Sequence, residues 1–529
     1  MRRVRPKIIA LSLLFPLLIG GFVVQERATR DGARLFDQVL SLVGDRFVDT
    51  VDAAALYEKA ARGLVQQLGD PYSELLSPKQ LQRFSTSSTG RYSGIGMQIE
   101  NQEGSITVVR VFPNTPAEKA GVVEGDRIVG VDTASTRGWT TQQVSDALLG
   151  VPGTKVTVRF ARPGVAQVIE HRVQRAEIHI PAVPYALMLD DQIAYIPLQT
   201  FNETATQELQ EAIRRLTNAG AHGIILDLRN NPGGILDQGL AVADLFLKEG
   251  QQIAQVRARQ GQSQSFLARG RVHIASRPLV VMVDNSSASA AEIVAGALQD
   301  HDRALVVGTT SYGKGLVQTV FPLDGGYALK MTTAKWFTPS GRTIQKDRTA
   351  ETPSATAADE PPDSLERESV KKDRPVFKSD AGRNVYGGGG ITPDVIVPED
   401  TLSTAEQEFA RALAPKSAVV RSVLYNYALD LKSKVSRGFT PQPAWREEFF
   451  QRLDSSKVAI NRKQYDSAAT LVDRWISTQV TRFAFGDSAE FRRSIPRDPQ
   501  LLRAIELLKK GRTQQDLFTL AQAAQRQTK

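Results

Sequence analysis

Apolar positions along the chain change period three times, and each change marks a different kind of unit. Residues 8–24 carry no charge. From about 29 to 88 the apolar residues fall three or four apart: Leu35, Phe36, Val39, Leu40 and Val43, then Leu56, Ala60, Leu64 and Leu68. That spacing lines one helix face and predicts a helical module over 29–88, interrupted by the turn sequence GDPYS at 69–73. Between 89 and 176 short alternating runs take over (GMQIE, SITVVRVF, DRIVGVD, KVTVRFAR, IEHRVQR), with one helical segment at TTQQVSDALLG. Such a pattern predicts a small β-rich domain. From 177 to about 400 the strand-like runs QIAYIPL, GIILDL, LVVMVD and ALVVG alternate with helical patterns at 203–218, 234–247 and 290–299. This alternation predicts an α/β core. Residues 351–380, rich in Pro, Ser, Asp, Glu and Lys, read as an exposed insertion. The remainder, 401–529, reads as helical, with an aromatic cluster at WREEFF and an amphipathic close in QLLRAIELLKK.

Length and composition sharpen this division. A chain of 529 residues exceeds one ordinary core and fits two to four folded units. The net charge of +9 comes from 66 basic and 57 acidic residues mixed along the chain. Without a dense basic tract and interleaved aromatics, no nucleic-acid partner is expected. Cysteine is absent, which excludes disulfides, thiolate zinc sites and cysteine nucleophiles. Arg2, Arg3, Arg5 and Lys7 precede the uncharged run, which as a helix reaches about 25 Å. Basic residues before an apolar run predict export of the rest of the chain. No small-x-small site is present in the next residues, QERATR, so residues 1–28 read as a membrane anchor in preference to a cleaved signal peptide.

Three segments of the α/β region carry chemistry. DLRNNPGG (227–234) ends a strand and opens a helix; Gly233 and Gly234 can turn N–H groups toward an oxyanion, though a structural turn explains this stretch alone equally well. DNSSASAAEI (284–293) places serines where a helix begins, a field that stabilises developing negative charge but also suits ordinary capping. SYGKGLVQ (311–318) holds Lys314 between glycines, with Gln318 four residues later. A lysine titrates near about 10.4 and serves as a base only where burial lowers that value. An uncharged partner such as Gln318 suits the neutral form; an aspartate would oppose it. None of the five histidines replaces this lysine. His301, the nearest, comes after the helix that Ser289 would begin, about 15 Å away. No histidine–carboxylate cluster has metal-ligand spacing, and no metal or other cofactor is expected.

YSGIG (92–96) and TPAEKAGVVEGDRIVGVD (115–132) resemble the two signatures of PDZ domains, a carboxylate-binding loop and a helix–glycine–strand unit. The order of helical module, PDZ domain, DLRNNPGG, SSASAAEIVAGALQD, YGKGLVQ and GRTIQ…GGITPDV resembles the carboxy-terminal processing peptidases, or tail-specific proteases. The resemblance implies a crotonase/Clp-protease-like α/β core with an inserted PDZ domain, an N-terminal helical module and a helical C-terminal extension. In that family the nucleophile is the second serine of SAS, with a lysine 25 positions later and a glutamine four beyond it. These positions are Ser289, Lys314 and Gln318 here. The implied oxyanion donors are Ala290 and one of Gly233 and Gly234. Tyr92, Ser93, Gly94, Ile95 and Gly96 would receive the substrate's tail. SASAAE departs from the frequent SASASE at Ala291, which has no implied catalytic role. The implied activity is that of a serine endopeptidase of the cell envelope, acting near the C-termini of polypeptides with apolar tails. Dimers or adaptor proteins are further implied partners. The competing reading is an inactive PDZ scaffold, which leaves the joint presence of Ser289, Lys314, Gln318 and the glycine pair unexplained. A crotonase-like acyl transferase fits less well, because export and a PDZ domain do not suit coenzyme-A thioesters.

Overall fold

A computed structural model describes residues 31–102, 104–162, 165–270, 277–346 and 374–527. The basic and apolar N-terminal segment and most of the 351–380 insertion lie outside them. Among the described residues no helix is long and apolar enough to cross a membrane.

Two units are present. The first contains residues 31–81 with 318–332. Its helix Ala53–Gln66 is capped by Asp52, whose carboxylate accepts the Ala54 N–H at 3.1 Å. The GDPYS turn closes on Asp70, which accepts from the Tyr72 N–H and from Ser73 Oγ. Within the stretch predicted as helical, Glu74–Leu76 is a strand, antiparallel to Ala328, Leu329 and Lys330. Its ladder partner comes from some 250 residues away, so helical periodicity in the local sequence could not reveal it.

The second unit begins at Gln82, within the helix Pro78–Thr89, and a ribbon follows. Arg91–Gly94 pairs antiparallel with Ala176–His179, so the chain enters and leaves the small β domain side by side. Between them run β1 (Met97–Gln102), β2 (Ser105–Val111), β3 (Arg127–Val131), α1 (Thr141–Leu148), β4 (Lys155–Ala161) and β5 (Ile169–Gln174). These five strands lie in chain order in an antiparallel sheet, with the short strand Ala134–Ser135 paired to β3 as a sixth, and β1 is at an edge. A capping box starts α1: Thr140 Oγ1 accepts the Gln143 N–H, and Gln143 Oε1 accepts the Thr140 N–H.

The α/β core is a six-stranded sheet of β6 (Leu187–Leu189), β7 (Ile193–Pro197), β8 (Gly223–Asp227), β9 (Leu279–Val283), β10 (Leu305–Gly308) and β11 (Val395–Ile396). β6 is antiparallel to β7; every later pair is parallel. β7, β8, β9 and β10 are buried throughout, as apolar runs covered on both faces must be. One face packs under α2 (Ala205–Asn218), α3 (Leu236–Asp244) and α4 (Ala290–Asp300).

The opposite face is covered from the far end of the chain. After α5 (Ser417–Leu431) and its helical neighbours come α6 (Pro499–Lys510) and α7 (Gln514–Gln527). Leu501, Ala504, Leu507 and Leu508 of α6 and Leu517 and Phe518 of α7 bury against Ile193, Ile225, Val280 and Leu305. The amphipathic close thus buries its apolar face on its own sheet. The other C-terminal helices have a separate core around Phe409, Tyr427, Phe449 and Tyr465. They also touch the β domain: Tyr425 of α5 donates to the Val108 carbonyl at 2.7 Å, and Arg110 of β2 pairs with Asp487.

At the C-terminal end of α4 a fully buried ion pair anchors the segment after the lysine loop. Arg342 donates to Asp300 Oδ1 at 2.6 Å, Gln299 Oε1 at 2.7 Å and the Tyr386 carbonyl at 2.8 Å. Removing the cation strands a buried carboxylate. Arg342→Met should therefore cost about 3–5 kcal/mol of stability, read as a lowered urea midpoint.

Candidate active site

Asp284 terminates β9 and organises the next turn. Its carboxylate accepts from the backbone N–H groups of Asn230 and Ser286, and from Ser287 Oγ. Burial pushes this carboxyl above its usual range, and the hydrogen bonds oppose that rise. Ser287 is fully buried; its Oγ accepts the Asp284 N–H and lies 2.7 Å from the Leu228 carbonyl. Two of the three serines of DNSSASAAEI therefore belong to a turn. Ser289 differs. It is partly exposed and immediately precedes α4, with φ 54° and ψ −113°, a strained conformation for a residue bearing a Cβ.

Glu292, one turn into α4 and fully buried, holds that conformation. Its Oε2 accepts the Ser289 N–H at 2.8 Å and the Lys314 N–H at 2.9 Å. Its Oε1 accepts from Ser311 Oγ at 2.5 Å and from the Gly313 N–H at 2.7 Å. Because one oxygen serves both amides, the backbone nitrogens of Ser289 and Lys314 lie within about 6 Å of each other. Burial raises the Glu292 pKa while all four hydrogen bonds lower it.

The lysine loop is tied down on its remaining sides. The Tyr312 N–H donates to the Ser287 carbonyl, the Gly315 N–H to Gln345 Oε1, and Trp336 Nε1 to the Lys314 carbonyl. Ser311 Oγ also accepts the Ile391 N–H at 2.6 Å. The GRTIQ and GGITPDV segments thus support this loop.

The glycine turn lies against Ser289. A Cβ on Gly233 would fall 2.8 Å from Ser289 Cβ and 2.9 Å from the Ala290 nitrogen; only glycine permits that approach at φ 93°. The Gly233 N–H donates to Asn231 Oδ1 at 2.8 Å, so this expected oxyanion donor is already engaged. The N–H groups of Gly234 and Ala290 donate to nothing among the described residues. Asn231 is itself buried, its amide donating to the Leu198 carbonyl and its carbonyl accepting the Ala288 N–H.

Ser289, Ala290, Gly233, Gly234 and Lys314 are therefore positioned by one hydrogen-bonded cluster. Gln318 belongs to the first unit, on the strand Leu316–Pro322, where its amide donates to Thr332 Oγ1 at 3.3 Å. His301 lies beyond the far end of α4, bound to Asp380 and the Gln252 carbonyl.

In the β domain, Tyr92 covers Gly94, where a Cβ would lie 2.8 Å from the ring. Burial pushes the Tyr92 hydroxyl up to about 12. Ser93 Oγ is buried without a partner, and the Ile95 and Gly96 N–H groups donate to nothing among the described residues. This loop directly precedes edge strand β1.

Sequence reasoning missed Glu292, Asn231 and Gln345. Glu292 carried a signal, since Ser289 and Glu292 have capping-box spacing. Asn231 binds the Gly233 amide two residues on, but its Leu198 partner, like the Gly315 partner of Gln345, is about thirty residues away and leaves no mark in the local sequence. In Glu292→Gln the amide offers one acceptor where the carboxylate has two, leaving buried donors unpaired. That variant should lose about 2–4 kcal/mol of stability, with the Lys314 amide exchanging hydrogen faster than in the parent.

Comparison with known proteins bears on what such a cluster does. Residues 192–353 match peptidase family S41, residues 107–162 a PDZ domain, and residues 24–79 the N-terminal domain of the activating protease CtpB. Carboxy-terminal processing protease CtpA of Bacillus subtilis is 32% identical over 381 residues, which cover 72% of this chain and 80% of that protein. A carboxy-terminal-processing protease of Bartonella bacilliformis is 36% identical over 314 residues, 59% of this chain and 72% of its own. The solved photosystem II D1 C-terminal processing protease aligns over 72% of this chain and 91% of its own, at 28% identity and a TM-score of 0.37. With nearly a third of the positions shared over four-fifths of the Bacillus protein, and with S41 and PDZ segments in the same chain, this serine-type peptidase belongs to the carboxy-terminal processing proteases of family S41.

Proposed function

We propose that the protein is an endopeptidase that cleaves polypeptides near their C-termini, with Ser289 as nucleophile and Lys314 as general base. The observation that carries this reading is the single Glu292 oxygen joining the Ser289 and Lys314 amides. Ser289 Oγ attacks the scissile carbonyl while neutral Lys314 accepts its proton, then returns it to the departing amine. Water then hydrolyses the acyl-enzyme by the same proton route. Negative charge developing on the carbonyl oxygen is received by the Gly234 and Ala290 N–H groups, which have no competing acceptor among the described residues. Gln318, four residues after the lysine, is uncharged and so adds nothing that would hold the amine protonated.

Substrate selection falls to the PDZ domain. The unengaged Ile95 and Gly96 amides suit a terminal carboxylate, and edge strand β1 can pair with the extended tail. The basic and apolar N-terminal segment supports export to the cell envelope with membrane anchoring. No metal or nucleotide takes part in this scheme.

Ser289→Ala should lower cleavage of an unstructured polypeptide with an apolar C-terminus by at least about 1,000-fold, while tail binding persists. Retained cleavage would refute the assignment. Lys314→Arg should be equally inactive, because a guanidinium does not deprotonate in a protein. In the parent enzyme kcat/KM should climb with pH as Lys314 loses its proton. A pH profile without that rising limb would exclude the lysine as base.

A further inference from the structure

The carboxyl ends of the parallel strands open into a cavity of about 1370 Å³ whose opposite wall is the C-terminal helical region. Pro197, Asp227 and Asp284 line it from the sheet, and Phe491, Ser494 and Ser477 from the helices. Ligands of open parallel sheets bind at this edge. Asn285 and Ser286 also line the cavity. Ser289 is three residues farther along, a stretch of chain that spans no more than about 11 Å. The cavity is thus adjacent to the candidate nucleophile but outside the PDZ domain.

Its chemistry narrows the occupant. Arg229 is paired with both Asp227 and Asp498, and Arg474 with Asp400, while Glu399, Arg493 and Arg497 also line the cavity, so charges of both signs are interspersed along the wall. Tyr195 and Phe491 stack at 4.2 Å between centroids and give the wall an apolar section. A lining of mixed charge with an apolar section selects no particular small ion, and the volume exceeds the ~300–1,000 Å³ usual for small-molecule sites. Both properties suit an unfolded polypeptide of varied side chains. A chain held by its C-terminus in the PDZ domain and cut upstream needs a place for the part preceding the scissile bond.

We infer that this cavity receives the substrate polypeptide on the N-terminal side of the scissile bond, an inference that rests on the proposed tail-first cleavage. The helical C-terminal region then forms part of the substrate path as well as a layer of the fold.

The absence of cysteine permits a direct test. Ser494 is exposed and lines the cavity. In full-length protein carrying Ser289→Ala, Ser494→Cys would be the only thiol and can carry a benzophenone maleimide attached after folding. Lys510→Cys serves as control: it is exposed at the end of α6, near where the Leu508 carbonyl meets His222 before β8, at the amino edge of the sheet. The probe is an unstructured polypeptide of known sequence ending in apolar residues. Irradiation should cross-link it at position 494 about tenfold more than at 510, the margin that about 1.4 kcal/mol of preferential binding gives. Peptide mapping should place the cross-links upstream of the cleavage point observed with the parent enzyme. Equal yields at the two positions, or cross-links confined to the residues after the cleavage point, would overturn the inference. The cross-linking needs no turnover, so its outcome is separate from that of the Ser289 activity test.

Discussion

Burying a carboxylate without a cation is costly, and the arrangement around Glu292 is a consequence of that cost. Its hydrogen-bond partners among the described residues are three backbone amides and one hydroxyl, with no arginine or lysine side chain among them. Those donors come from two places in the chain, the start of α4 and the loop after β10. Satisfying the carboxylate therefore requires the two segments to meet in one register. The same contact holds Ser289 at a backbone angle that the residue would not adopt unaided. Glu292 also lies in the first turn of α4, where the helix dipole favours negative charge.

Everything around this contact is built to be stiff. β8 and β9 deliver Asp227 and Asp284 to the same edge of a buried parallel sheet, and Asp284 couples the turns after both strands through the Asn230 amide. Asn231 adds a second link between these turns by accepting the Ala288 N–H through its carbonyl. Gly233 permits the final approach, since any Cβ there would strike Ser289. The other end of α4 is held by the buried Arg342–Asp300 pair, and the segment carrying Arg342 continues to Gln345 beneath the lysine loop. Both ends of the helix are therefore connected to the loop that carries Lys314.

The C-terminal helices change how the core is understood. Along the chain, 401–529 is an appendage after a finished α/β unit. In the fold, α6 and α7 supply the second layer of the central sheet, and a parallel sheet with one bare face would expose Ile193, Ile225, Val280 and Leu305 to water. The intervening helices contact the β domain through Tyr425 and Asp487. One continuous region thus touches the core sheet, the PDZ domain and the cavity at the sheet's carboxyl edge.

The strands β7 to β10 and the helices between them were legible because each is long, apolar and bounded by turn residues, so local pattern and tertiary role agree. The motif glycines were legible for a related reason: close backbone approach restricts which residues those positions tolerate. Glu74–Leu76 was misread as helical because a strand this short takes its identity from its ladder partner. What the sequence alone determined is the kind of elements, their order and the chemical groups available. Only tertiary structure decided which serine turns are consumed internally, which glycine amide is left open and that Glu292 joins the two loops. It also decided that the last helices complete the first sheet. Periodicity reports a residue's neighbours along the chain, whereas hydrogen-bond satisfaction and burial are settled among groups that meet only after folding.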